Sequence, residues 1–179
     1  MTTYQECQES EDSLQRERWN EACDLYDQGF HITAMQLFTS ISGHSITFVN
    51  RGIILSSLLQ HDDALKEYET AKEMGHCSAI CDFLCGISQF ALGHFDAAVK
   101  SFDEALGRLN GLVGINYKHV GLDYTLFSLK VLFNKGASLA LFGQPEGQDI
   151  MANAAADIKN AKVPDDRIDE DKIYSLVSE

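Results

Sequence analysis

Small and aromatic positions recur along this chain at a fixed interval. Gly52 and Gly86 lie 34 residues apart, and so do Ala64 and Ala98, Tyr68 and Phe102, and Ala71 and Ala105. A period of about 20–50 residues marks stacked units that bury their faces against one another. The residue types predict two antiparallel helices per unit. A small residue on the first helix (Gly52, Gly86) and one on the second (Ala64, Ala98) allow close approach. The aromatic that follows fills the gap, and Ala71 or Ala105 admits the next unit. The segment 93–106 predicts a second helix, with Gly93 in the turn before it.

Two further copies extend the pattern. Ala22, Gly29, Ala34 and Phe38 fall at matching offsets in 19–38, and Gly136, Gly143, Ala152 and Ala155 carry the register to the other end. Pro145 and Gln148 stand in this last copy where an aromatic and an alanine are expected. Gly86 and Gly136 are 50 residues apart, 16 more than the repeat. The surplus falls near 107–122, where Gly107, Gly111, Gly114 and Gly121 break the helical period. Asn110-Gly111 signals a turn, and Val113, Ile115 and Tyr117 alternate as a short extended stretch does. Insertions in repeat arrays map to one edge, often the binding edge. The alternative is a tolerated surface loop, since long loops cost little.

This period and these residue classes are those of the tetratricopeptide repeat. The expected fold is an all-α solenoid of four helix–turn–helix repeats, about 16–42, 45–74, 79–107 and 123–160, with the insertion at 107–122. Residues 1–15 read as a flexible leader to a single domain over 16–179. Pro164 and the acidic run after it predict a polar capping helix at about 165–177, which would cover the last repeat.

Charge and chemistry narrow the function. The chain has 179 residues, a formal charge of −13 and 5 cysteines. Nucleic acid and anionic membrane both need a basic face, so neither is expected as a partner. No apolar run reaches the length of a membrane-spanning helix. The polar, acidic N-terminus is unlike a signal peptide, and the cysteines then point to a reducing cytoplasm and free thiols. Cys77, Cys81 and Cys85 share one helix face. They lack the C-x-x-C element usual in zinc sites, so small packing residues are expected there and no metal. No phosphate loop, dinucleotide fingerprint or nucleophile elbow is present. No enzyme activity and no cofactor are expected.

One stretch goes beyond a generic repeat. Residues 115–136, INYKHVGLDYTLFSLKVLFNKG, resemble the N-terminal domain of the cytosolic activators of NADPH oxidases, the neutrophil cytosol factor 2 type and the fungal Nox regulator. That family reads I-D-Y-x-x-L-G-L-x-F-K-L-[FY]-[AS]-C-E-V-L-[FY]-N in the same place. The matching residues here are Ile115, Tyr117, Gly121, Leu122, Leu126, Phe127, Val131, Leu132 and Asn134. The similarity extends over roughly 19–172, including Trp19-Asn20-Glu21, His44-Ser45 and 104–111. The resemblance implies four repeats with a capping helix, and a hairpin-like insertion between repeats three and four. It also implies a GTP-loaded Rac- or Cdc42-type small GTPase as partner, bound on the edge of the solenoid, and indirectly an oxidase flavocytochrome. The domain would be a cytoplasmic regulator of superoxide production, recruited to membranes through its partner.

By the same resemblance, the candidate contact residues are Ser45, His76, Cys77, Asn110, Gly111, Leu112 and Asn116. Several depart from the family pattern. Asn110 stands for an Arg, Leu112 for an Asn and Asn116 for an Asp, and Gly75-His76-Cys77 stands where the family has an Asp and a His two apart. Loss of the Arg removes five donors and a charge. The family's activation segment should lie beyond the capping helix. With Glu179 the last residue, the chain reads as an isolated domain or as a member without the effector half. The competing reading is a repeat scaffold that binds another protein or peptide in its concave groove, with GTPase binding lost. Asn20, Asn50, Arg51, Asn134 and Lys135 are the groove candidates.

Overall fold

The computed structural model describes residues 4–41, 44–75 and 77–160. Eight helices follow one another: α1 (Tyr4–Asp27), α2 (His31–Ser40), α3 (Ser45–Ser57), α4 (His61–Glu73), α5 (Ser78–Ala91), α6 (Phe95–Leu109), α7 (Ser128–Leu141) and α8 (Glu146–Asn160). Each odd-numbered helix packs on its successor, and each pair stacks on the next, as a tetratricopeptide solenoid does. The described helix α1 begins inside the segment expected as a leader. The expected capping helix at 165–177 lies outside the described residues.

The repeat spacing works through missing Cβ atoms. A Cβ on Gly86 would come within 2.5 Å of the Phe102 ring, and one on Gly52 within 2.2 Å of the Tyr68 ring. Each aromatic therefore lies flat on helix backbone of its own repeat. Tyr68 and Phe102 are buried with Ala64, Ala71, Ala98 and Ala105. Burying such a side chain is worth about 1.5–3 kcal/mol. In the first repeat Ala22, Ala34 and Phe38 hold the same places, and Trp19 meets Phe38 edge to face at 5.2 Å.

The fourth repeat packs differently. Ala152, aligned by spacing with the aromatics, is exposed, and α8 buries Gly147 and Ala154 instead. A Cβ on Gly147 would strike the Gly136 carbonyl at 2.6 Å. With no aromatic between them, α7 and α8 touch backbone to backbone through this glycine pair.

The insertion is a hairpin. β1 (Gly114–Asn116) pairs antiparallel with β2 (Thr125–Phe127), with Ile115 opposite Leu126. A turn of 3-10 helix, Lys118–Val120, closes it. Helix α6 continues through Gly107 and Arg108 to Leu109. The connection between α6 and α7 thus spans 110–127, later at both ends than the spacing suggested. Leu126 and Tyr117 are buried in the main core, and this anchors the hairpin.

Candidate interaction edge

In an antiparallel stack, the α2–α3, α4–α5 and α6–α7 connections all emerge at one edge. Three contacts join them there. Ser45 opens α3, and its Oγ lies 3.7 Å from Sγ of Cys77, the residue before α5. The Tyr117 hydroxyl of the insertion accepts the Ile80 amide proton at 3.2 Å, satisfying a donor that the first turn of α5 leaves without a helical partner. The insertion then crosses to the first repeat, where Gly121 faces the Trp19 ring. Between these points lies a cleft of about 650 Å³, lined by Trp19, Ile41, His44, Ser45, Met74 and Val120 among others.

The candidate contact residues divide into two groups. Ser45 and Cys77 come together but are buried, at 8% and 1% exposure. They form the floor of the edge. Asn110, Gly111, Leu112 and Asn116 are exposed on the hairpin. His76 lies outside the described residues.

Local geometry accounts for the residue types at the hairpin. Asn110 ends α6 in the left-handed conformation, φ 47° and ψ 46°, and its amide donates to the Leu106 carbonyl. Asparagine tolerates that conformation better than a long or branched side chain. Asn116 Oδ1 accepts the Lys118 amide proton at 2.8 Å, so its side-chain N–H groups are what remain for a partner. Val113, beside Leu112, is not among the candidate contact residues but shares their surface. It is 74% exposed and Leu112 55%, an apolar pair at the tip. The Val113 carbonyl is held by the Ser128 amide at 2.9 Å and the Ser128 hydroxyl at 3.2 Å. The opposite edge, at the turns inside each repeat, also bears exposed apolar side chains, among them Leu59, Leu141 and Phe142.

Cys77, Cys81 and Cys85 are not poised for reaction. Burial raises the Cys77 thiol against a lowering hydrogen bond from Ser45. Burial also raises Cys81 and pushes Cys85 up to about 12. A thiolate is the metal ligand and nucleophile, and these thiols hold their protons. Among the described residues, no three His, Cys, Asp or Glu side chains gather as a metal site would need. Nor is any described helix long and apolar enough to cross a membrane.

The helix pairs, their stacking and the glycine–aromatic contacts define a tetratricopeptide-repeat protein with a hairpin insertion. Solved structures agree on the fold. MamA from Desulfovibrio magneticus RS-1 superposes with a TM-score of 0.65 at 11% identity, over 83% of this chain and 77% of that one. YrrB, described as a TPR protein with an unusual peptide-binding site, gives 0.62 at 18% identity, over 89% and 76%. No family model matches the chain.

Curated relatives carry the resemblance read from the sequence. An NADPH oxidase activator of Dictyostelium discoideum is 27% identical over 157 residues, 80% of this chain and 26% of the relative. Neutrophil cytosol factor 2 of Bos taurus is 31% identical over 117 residues, 65% of this chain and 22% of the relative. NADPH oxidase activator 1 of Rattus norvegicus is 28% identical over 132 residues, 65% and 30%. The chain is similar to these activators over most of its length, and its matches span only 22–30% of theirs.

Proposed function

We propose that this chain is the interaction module of an NADPH oxidase activator, and that it binds a GTP-loaded Rac- or Cdc42-type small GTPase at the insertion edge. The observation that carries the reading is the joining of three separate connections into one edge. Tyr117 ties the insertion to α5, Ser45 meets Cys77, and Gly121 reaches Trp19. A plain repeat stack does not require such a strap, and here it braces a hairpin whose tip stays exposed. The named activities of the curated relatives support the same reading. The module works as an adaptor in the cytoplasm: it senses the nucleotide state of its partner and is drawn to the membrane with it. Its role in superoxide production is then regulatory, with no catalysis of its own.

Calorimetric titration against Rac-type and Cdc42-type GTPases tests this, each loaded with a GTP analogue or GDP. Binding of at least one GTPase in the GTP-analogue form, at least about tenfold tighter than its GDP form, is expected. Equal affinity for the two forms, or no binding, overturns it.

A further inference from the structure

Asp82 on α5 is fully buried, yet it carries a charge-bearing group into the core. Two cations from other helices hold it. Lys72 Nζ of α4 lies 2.5 Å from Oδ1, and Arg108 Nε of α6 donates to Oδ2 at 2.5 Å. Glu104, also on α6, takes Lys72 from the far side at 2.9 Å. Burial works against the charge of Lys72, but the hydrogen bonds to Asp82 and Glu104 outweigh it and raise its pKa. The Lys72 hydrogen bond, against a smaller effect of burial, lowers the Glu104 carboxyl.

Stability alone is a poor account of this cluster. Desolvating a buried carboxylate costs about as much as its partners return. Fixing a register is the better-attested use of such groups. The placement of these residues fits that use. Lys72 is in the last turn of α4, just before Met74 and the α4–α5 loop. Arg108 is in the last turn of α6, two residues before Asn110 and the hairpin. Asp82 is two residues after Ile80, whose amide donates to the Tyr117 hydroxyl. One carboxylate therefore grips the base of two of the three connections that make the edge.

We propose that Asp82 is the positioning residue of the interaction edge: it ties Lys72 to Arg108, sets the hairpin against the α4–α5 loop, and leaves the uncharged tip Asn110–Val113 to meet the partner. This rests on the reading of the edge as the GTPase-binding surface. The tip Asn110–Val113 carries no charge of its own and exposes Leu112 and Val113, so the partner surface that fits it is neutral and apolar. Arg108 thus braces the base of the hairpin through Asp82.

The test uses the full chain with Asp82→Asn, Arg108→Met and Arg108→Lys. Three quantities are measured: the melting temperature, amide hydrogen exchange by segment, and affinity for the GTPase loaded with a GTP analogue. Asp82→Asn and Arg108→Met should speed exchange in 110–127 by about tenfold or more while α1 and α2 keep their rates. Both should weaken GTPase binding by about tenfold, and Arg108→Lys should recover most of the loss. A fall in melting temperature with exchange raised evenly across all helices would mean a merely structural cluster, and the proposal fails. So does unchanged exchange in 110–127. If Asp82→Asn does not fold, Arg108→Met decides, because it leaves Asp82 paired with Lys72. If the unaltered chain binds no GTPase, the proposed function fails and the segment-resolved exchange alone judges Asp82.

Discussion

Gly121 sits against Trp19 so closely that a Cβ would lie 3.1 Å from Cζ2 of the indole. The two residues are about a hundred positions apart, and Trp19 is the single tryptophan of the chain. Gly121 also has φ of +96°, where an L side chain is strained. Gly121→Ala should therefore cost about 1–2 kcal/mol by chemical denaturation. It should also shift the tryptophan emission to the red in the native state, as the insertion backs away from the ring. Unchanged emission and stability would mean that the strap does not bear on the first repeat.

Leu59 is the odd residue at the turns inside the repeats. Gly29, Gly93 and Gly143 have φ between 77° and 85° at the equivalent positions, and Leu59 adopts 60° there. Its side chain is 81% exposed, so it gains little from burial. Leu59→Gly should raise stability by up to about 1 kcal/mol, because relief of left-handed strain exceeds the added chain entropy. A loss of stability would show that Leu59 packs on something at that edge.

Buried thiols contribute to the alkaline limit, beside the phenols of Tyr68, Tyr117 and Tyr124, which burial also raises. Burial raises Cys85 from an ordinary 9.0 to about 12. A group whose folded pKa is raised contributes stability below its unfolded pKa and loses it as pH climbs toward the folded value. Stability should thus fall between pH 9 and about 12, with Cys85 adding about 1.4 kcal/mol per pH unit to the slope. Cys81 and Lys72 shift in the same direction. Cys85→Ala should be less stable at neutral pH yet show a shallower decline above pH 9. An identical slope would remove Cys85 from the account.

The fold was readable because its cause is local and repeated. Gly52 with Tyr68 and Gly86 with Phe102 are steric pairs, and one 34-residue spacing exposes both. The fourth repeat hid its packing, since Gly147 against Gly136 is a backbone contact that leaves no aromatic to search for. The hairpin's bounds were blurred because Gly107 reads as a breaker but remains within α6. At the edge, sequence resemblance named Ser45 and Cys77 but not their burial. Burial depends on how three connections meet, and spacing along the chain does not encode that. Asp82 escaped notice for the same reason: its partners lie on two other helices.

The most direct measurement compares two exposed leucines of nearly equal accessibility. Leu112 is at the hairpin tip, 55% exposed, and Leu141 is at the opposite edge, 58% exposed. Each is changed to Glu and titrated against the GTPase loaded with a GTP analogue. Both variants should keep stability within about 0.5 kcal/mol, as surface changes usually do. Leu112→Glu should weaken binding by about tenfold or more, as for an apolar contact at an interface centre, and Leu141→Glu should leave it unchanged. Loss of binding on Leu141→Glu with none on Leu112→Glu would put the partner on the other edge and contradict the account.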